Sequence, residues 1–155
     1  MKKIEKFSPE VCEKLRYYVY RLVDPRDGQT FYVGKGKENR VFDHLKWAQR
    51  VIQNKAEFEK NNGEITSLKL DRIRQIMDEG LDIVYIIQRW GLSEQEAFLV
   101  ESVLIDFYGE TQLTNLVKGH YANDYGPINA LTLEKTLSLV EYEENENTPP
   151  YIIIK

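Results

Sequence analysis

YYVYRLVDPRDGQTFYVGKGK, residues 17–37, is the stretch that decides the fold. Its first part, Tyr17–Val23, is rich in aromatic and β-branched residues, a composition typical of a strand. The turn-forming residues Asp24-Pro25-Arg26-Asp27-Gly28 follow, and strand composition resumes over residues 30–33. The stretch therefore predicts a β-hairpin, which Gly34 and Gly36 are expected to close.

Helix start and stop signals surround the hairpin. Ser8-Pro9-Glu10 predicts a helix over residues 8–16, and Ser93-Glu94-Gln95-Glu96 is a capping box for a helix that ends near Tyr108. Asn39 is placed to cap a helix that starts at Arg40. The expected elements are helices over residues 40–53, 68–77 and 131–140, a buried strand over 81–87 and a short strand over 113–117.

Length and composition bound the class of protein. A chain of 155 residues with 42% hydrophobic and 30% charged residues fits one globular domain. It contains no apolar run near the ~20 residues of a membrane helix and no secretory signal, so an intracellular, cytoplasmic protein is expected. Cys12 is the single cysteine, which excludes an intrachain disulfide and a cysteine-based zinc site.

Charge is distributed unevenly along the chain. The net charge is -4, yet residues 1–50 hold 12 Lys and Arg against 7 Asp and Glu, whereas residues 51–155 hold 9 against 18. Nucleic-acid binding depends on cations that neutralise phosphates. Because the basic part carries the motifs described next, the acidic total does not exclude a nucleic-acid partner.

Glu101 interrupts the apolar run 97–105 of a predicted helix. Helical spacing places it on the same face as Ala97, Leu104 and Ile105, toward the core. A carboxylate there requires a cation, an ion-pair partner or a metal. A partnered core glutamate and a metal ligand both remain open.

Tyr20 and Tyr32 lie on the two strands of the hairpin, where aromatic residues usually pack against each other. The Gly34-Lys35-Gly36-Lys37 segment that follows combines flexible backbone with two cations. Arg40 and His44 then lie four residues apart, on one face of a helix. This combination is more specific than a pair of packed tyrosines.

In order, Tyr18-Val19-Tyr20, Tyr32-Val33-Gly34, Arg40, His44, Glu101 and Asn115 resemble the pattern of the GIY-YIG nuclease family. The fuller string is similar to the subgroup of LEM-domain and ankyrin-repeat nucleases. Tyr18 stands where the family has glycine, and Val33 replaces isoleucine. The resemblance spans about residues 17–116 of one domain and leaves residues 118–155 as an extension with an acidic segment.

The resemblance implies an α+β fold, a small antiparallel sheet flanked by helices, and a divalent-metal-dependent endonuclease. Glu101 would hold Mg²⁺ or Mn²⁺, and Arg40 would stabilise the transition state. Either Tyr20 or His44 would be the general base. Tyr32 would orient water or phosphate, and Asn115 would position the site.

The expected substrate is DNA, with RNA left open. Arg26, Lys35 and Lys37 are candidate phosphate contacts. A non-catalytic nucleic-acid or protein-binding module with this fold is the alternative. No membrane association is expected, and a homodimer or a partner chain remains open.

Overall fold

A computed structural model describes residues 3–54, 68–109, 112–115 and 125–145, with the side chains of 139–145 excepted. The helices and strands, numbered in chain order, are α1 (Pro9–Leu15), β1 (Tyr17–Val23), β2 (Thr30–Lys37), a 3₁₀ turn (Arg40–Phe42), α2 (Asp43–Gln53), α3 (Leu68–Asp78), β3 (Val84–Leu92), α4 (Glu94–Tyr108) and α5 (Ala130–Asn145). The predicted α+β class is confirmed. None of the described helices is long and apolar enough to cross a membrane.

The three strands form one antiparallel sheet in the order β2-β1-β3. Tyr20 on β1 pairs with Gly34 on β2, and Tyr18 pairs with Gly36. The prediction that the two glycines close the hairpin was therefore wrong. Both lie inside β2, which continues to Lys37 because its backbone stays paired with β1 throughout this stretch.

The core lies on both faces of the sheet. Side chains alternate along a strand, so Tyr18, Tyr20 and Leu22 of β1 join the larger cluster, which α2 and α3 complete. Val19 faces the other way and joins a smaller cluster with residues of α4. The central strand thus connects two layers, and each layer contributes part of the site described below.

Two of the three helix caps predicted from the sequence are confirmed. The Ser8 hydroxyl accepts a hydrogen bond from the Val11 N–H, and the capping box of Ser93 and Glu96 is complete. Asn39 differs: its side chain makes no capping hydrogen bond, and its Oδ1 accepts from the Phe7 N–H at 2.6 Å instead. The chain therefore enters α2 through the 3₁₀ turn rather than through a side-chain cap.

Two strand predictions need correction. The strand expected over residues 81–87 runs instead from Val84 to Leu92, and most of it is exposed or half-buried. Among the described strands, β3 lies at an edge of the sheet, next to β1. The part of the strand expected over 113–117 that falls on described residues, 113–115, is not a strand. Residues 116 and 117 lie outside the described part of the chain.

The hairpin turn is joined to α3 by a buried carboxylate. Asp24 is fully buried, and its oxygens accept hydrogen bonds from Arg26 and from Arg72 of α3. Arg26 also donates to Glu79 and Gln75. Hydrogen bonding from Arg26 is the largest cause of the lowered pKa of Asp24. This network fixes α3, and with it Lys69, against the hairpin.

Candidate active site

Three of the predicted site residues lie together on one face of the sheet. The rings of Tyr20 on β1, Tyr32 on β2 and His44 on α2 have centroids 4.6 to 6.4 Å apart. The Tyr20 hydroxyl forms a buried hydrogen bond with Nε2 of His44. The hairpin register and the first turn of α2 bring these groups together.

Gly34 allows the two tyrosines to approach each other. A Cβ atom at this position would lie 2.6 Å from Oη of Tyr20 and 3.0 Å from Cε1 of Tyr32. Favourable contacts between carbon atoms are about 3.5–4.0 Å. Any side chain at residue 34 would therefore push the phenol groups out of their positions.

Arg40 reaches the same face from the 3₁₀ turn. Gly36 makes room for it, since a Cβ atom there would lie 2.5 Å from Cγ of Arg40. The Arg40 side chain is 56% exposed, and its Nη1 lies 3.6 Å from Oδ2 of Asp43, a long and solvated ion pair. The guanidinium thus borders the tyrosines while remaining accessible to a ligand.

Tyr18 holds the segment that carries Arg40. Its hydroxyl donates to the Glu38 carbonyl at 2.8 Å and accepts from the Val41 N–H at 3.1 Å. Burial is the main cause that raises its pKa to about 12. The family pattern assigns no role to Tyr18, although its spacing of two residues from Tyr20 places both on one face of β1.

Lys69 of α3 is a further member of the site that the sequence did not reveal. Its Nζ lies 3.3 Å from Nδ1 of His44 and over the rings of Tyr32 and Trp47, at 4.8 and 4.7 Å from their centroids. A lysine on an amphipathic helix is common, so nothing near residue 69 distinguishes it. Lys69 lies beside His44 because the hydrogen bonds of Asp24 with Arg26 and Arg72 hold α3 against the hairpin.

Burial controls protonation in the site. It is the largest cause that raises the pKa of Tyr20 and of Tyr32 above the ordinary value, and it lowers the pKa of His44 to about 3. The positive charge of Arg40 acts against burial at both tyrosines. At neutral pH the phenols are therefore protonated and the imidazole is neutral.

Glu101 approaches from α4, which packs against the smaller core cluster. Its side chain is partly buried. Burial is the first cause of the raised pKa of Tyr32, and the negative charge of Glu101 is the second; the same charge also raises the pKa of Tyr20. Glu101 therefore acts electrostatically on both tyrosines from the other layer.

Lys35 and Lys37 alternate with Gly34 and Gly36 along β2, so they lie on the face opposite Tyr32. The Lys35 Nζ lies 3.9 Å from the ring centroid of Phe98, one turn before Glu101 on α4. The Lys37 Nζ lies 5.7 Å from the ring centroid of Tyr17. Lys35 thus contacts the helix that carries the carboxylate.

Two other predicted residues have protein partners. Asn115 accepts a hydrogen bond from the Val33 N–H at 3.1 Å and donates one to the Val33 carbonyl at 2.7 Å. Arg26 lies at the hairpin turn, where its guanidinium is engaged by Asp24, Glu79 and Gln75. The structure brings neither side chain into the cluster of tyrosine and histidine rings.

Arg40 stands between two open clefts. One, of about 720 Å³, runs along α2; among the described residues that line it, Arg40, Lys46, Arg50 and Lys69 are cationic and Asp43 is acidic. The other, of about 450 Å³, is lined by the cations Lys35, Lys37 and Arg40 and by the acids Glu38 and Asp43. A ligand that fills both clefts must pass Arg40, and cations outnumber acids among the described residues that line them.

Comparison with known proteins agrees with this geometry. The family model described as the LEM-3-like GIY-YIG domain matches residues 28–139, which include β2, Arg40, His44, Glu101 and Asn115. The match begins after β1, but the sheet register joins Tyr20 of β1 to Gly34 within it. Neither the curated proteins nor the solved structures gave a match. The chain therefore belongs to the GIY-YIG nuclease family, in its LEM-3-like subgroup.

Proposed function

We propose that this protein is a divalent-metal-dependent endonuclease that hydrolyses phosphodiester bonds of DNA. The observation that carries the proposal is the convergence of Tyr20, Tyr32, His44 and Arg40 on one face of the sheet, with the charge of Glu101 acting on the same tyrosines. Family membership makes nucleic acid the expected substrate class. The basic clefts on both sides of Arg40 fit a polyanionic strand.

Glu101 is the proposed ligand of Mg²⁺ or Mn²⁺. Such hard cations keep several waters and are commonly held by one or two carboxylates together with substrate phosphate. Among the described residues, no group of three or more His, Cys, Asp and Glu side chains could hold a metal. Glu101 is a partly buried carboxylate whose charge acts on both tyrosines, which fits a ligand of this kind. When bound, the ion supplies Lewis-acid stabilisation of charge on the phosphate.

Tyr20 is the proposed general base. Both ring nitrogens of His44 face protein groups, Tyr20 at Nε2 and Lys69 at Nδ1, so the imidazole has no nitrogen left for a water molecule. Tyr20 would first lose its hydroxyl proton to solvent, and the phenolate would then take a proton from water while the water oxygen bonds to phosphorus. The bond from phosphorus to the leaving sugar oxygen breaks, and that oxygen takes a proton from solvent.

Arg40 is the proposed transition-state stabiliser. Its planar guanidinium can donate two hydrogen bonds to phosphate oxygens, and its exposure of 56% leaves it accessible to them. Its charge opposes the rise in the pKa of Tyr20 that burial causes. Tyr32, in contact with His44, would orient the water or the phosphate.

The test is cleavage of supercoiled plasmid with Mg²⁺ and with EDTA, for wild type, Glu101→Gln and the control Glu94→Gln on the same helix. We expect Mg²⁺-dependent nicking by wild type and by the control, and loss of cleavage in Glu101→Gln with DNA affinity retained. Full activity of Glu101→Gln would exclude the metal-ligand role. DNA binding without cleavage by wild type would make the protein a binding module, and cleavage of RNA alone would change the substrate.

A further inference from the structure

The imidazole of His44 is held at both nitrogens by side chains from different elements. Its Nε2 is hydrogen-bonded to the hydroxyl of Tyr20 on β1, and its Nδ1 lies 3.3 Å from the Nζ of Lys69 on α3. The ring is 4% exposed. Its two hydrogen bonds are therefore made with these two side chains, and their chemistry decides which nitrogen carries the proton.

A lysine ammonium has three N–H donors and no acceptor. The Nδ1 atom that faces it must therefore present a lone pair. Burial keeps His44 neutral at physiological pH by lowering its pKa to about 3, and a neutral imidazole has a single N–H. That proton is consequently on Nε2, and Nε2–H donates to the oxygen of Tyr20.

The surroundings of Lys69 support its charged form. The ammonium lies over two aromatic rings, 4.8 Å from the centroid of Tyr32 and 4.7 Å from that of Trp47. Such cation–π contacts stabilise a cation that has lost water. Burial, followed by the charge of Arg40, lowers the pKa of Lys69, and the two ring faces oppose that change.

We propose that Lys69 is a positioning residue that holds His44 in its Nε2–H tautomer, so that His44 donates a hydrogen bond to Tyr20. The effect of this tautomer on catalysis rests on the proposed function, whereas the tautomer itself does not. A donor directed at Oη stabilises the phenolate, and it leaves the hydroxyl proton of the resting phenol directed away from His44. The opposite tautomer would make His44 the acceptor of that proton.

The tautomer can be observed directly by ¹⁵N NMR of the imidazoles. The chain has two histidines, so a His120→Gln background leaves the signals of His44 alone. We expect a proton-bearing Nε2 and a lone-pair Nδ1 at neutral pH. A proton-bearing Nδ1 would overturn the proposal, because Lys69 would then be an acceptor.

Variants at residue 69 test the cause. Lys69→Met removes the donor and should increase the Nδ1–H population and lower kcat by about 10-fold or more. Lys69→Arg, whose side chain also has only donors, should keep the wild-type tautomer. Lys46→Met removes the same charge from the same cleft and should also leave the tautomer unchanged. An unchanged tautomer in folded Lys69→Met would refute the role of Lys69.

The two proposals fail separately. The NMR result does not depend on cleavage, so an Nε2–H tautomer in an inactive wild-type protein would contradict only the proposed function. An Nδ1–H tautomer in an active nuclease would contradict only the role of Lys69.

Discussion

Mild acid should destabilise the protein through His44. The ordinary histidine pKa of ~6.5 applies to the unfolded chain, whereas burial lowers the pKa of His44 to about 3 in the folded protein. Between these values the unfolded state binds a proton that the folded state does not bind. Stability from this group is therefore complete above the unfolded pKa and is lost as pH falls, by about 1.4 kcal/mol per pH unit.

At about pH 5 the free energy of unfolding should be lower by about 2 kcal/mol, a large part of the 5–15 kcal/mol that is typical of a folded domain. The groups that face the ring are Tyr20 on β1, Tyr32 on β2, Lys69 on α3 and Arg40 on the 3₁₀ turn. Two are neutral phenols and two are cations, so none of these four favours an imidazolium.

The assay is urea unfolding of wild type and His44→Gln at about pH 7.5 and about pH 5. Between the two pH values, the free energy of unfolding of wild type should fall by about 2 kcal/mol more than that of the variant. Other titrating groups, including Asp24, are present in both proteins and cancel in the difference. Equal losses in the two proteins would refute a buried neutral imidazole at this position.

Three substitutions give further predictions. Gly34→Ala places a Cβ atom 2.6 Å from Oη of Tyr20, which forces the phenol to move by about 1 Å. Single-turnover cleavage should therefore fall about 100-fold, while the protein still melts cooperatively. Near wild-type cleavage would contradict this placement of Tyr20. Arg40→Lys should lose about 100-fold in the same assay because an ammonium lacks the two-donor geometry, and wild-type turnover would make Arg40 a surface cation. Arg50→Gln should reduce the slope of log affinity for duplex DNA against log salt concentration by about 1. Arg74→Gln, outside the cleft along α2, should leave this slope unchanged. Equal slopes for the two variants would show that the DNA does not bind in this cleft.

Local chemistry made much of the fold predictable. The turn at residues 24–28 and the capping box of Ser93 and Glu96 each act within a few residues, so the hairpin and α4 were expected in the right places. The limits of β3 depend on pairing with β1 alone, which is a tertiary property. The apolar composition of residues 81–87 therefore predicts a buried strand, whereas β3 is a largely exposed edge strand.

The site was predictable where residues share one element and less so where elements meet. Strand periodicity alone places Lys35 on the face opposite Tyr32. Arg26 looks like a phosphate contact in the sequence, but the buried Asp24 two residues earlier engages it. Lys69 has no local signal, because its position depends on how α3 docks against the hairpin.

The side chain of Asn115 acts on β2 as a neighbouring strand would. Its amide pairs with both the N–H and the carbonyl of Val33, while Thr114 and Gln112 donate to the carbonyls of Phe31 and Thr30. Unpaired strand edges are templates for aggregation. Residues 112–115 cover the outer edge of β2 over the first half of the strand. Asn115, which the sequence predicts to position the site, therefore also covers part of an edge strand. Its loss should favour edge-to-edge oligomers even where the chemistry survives.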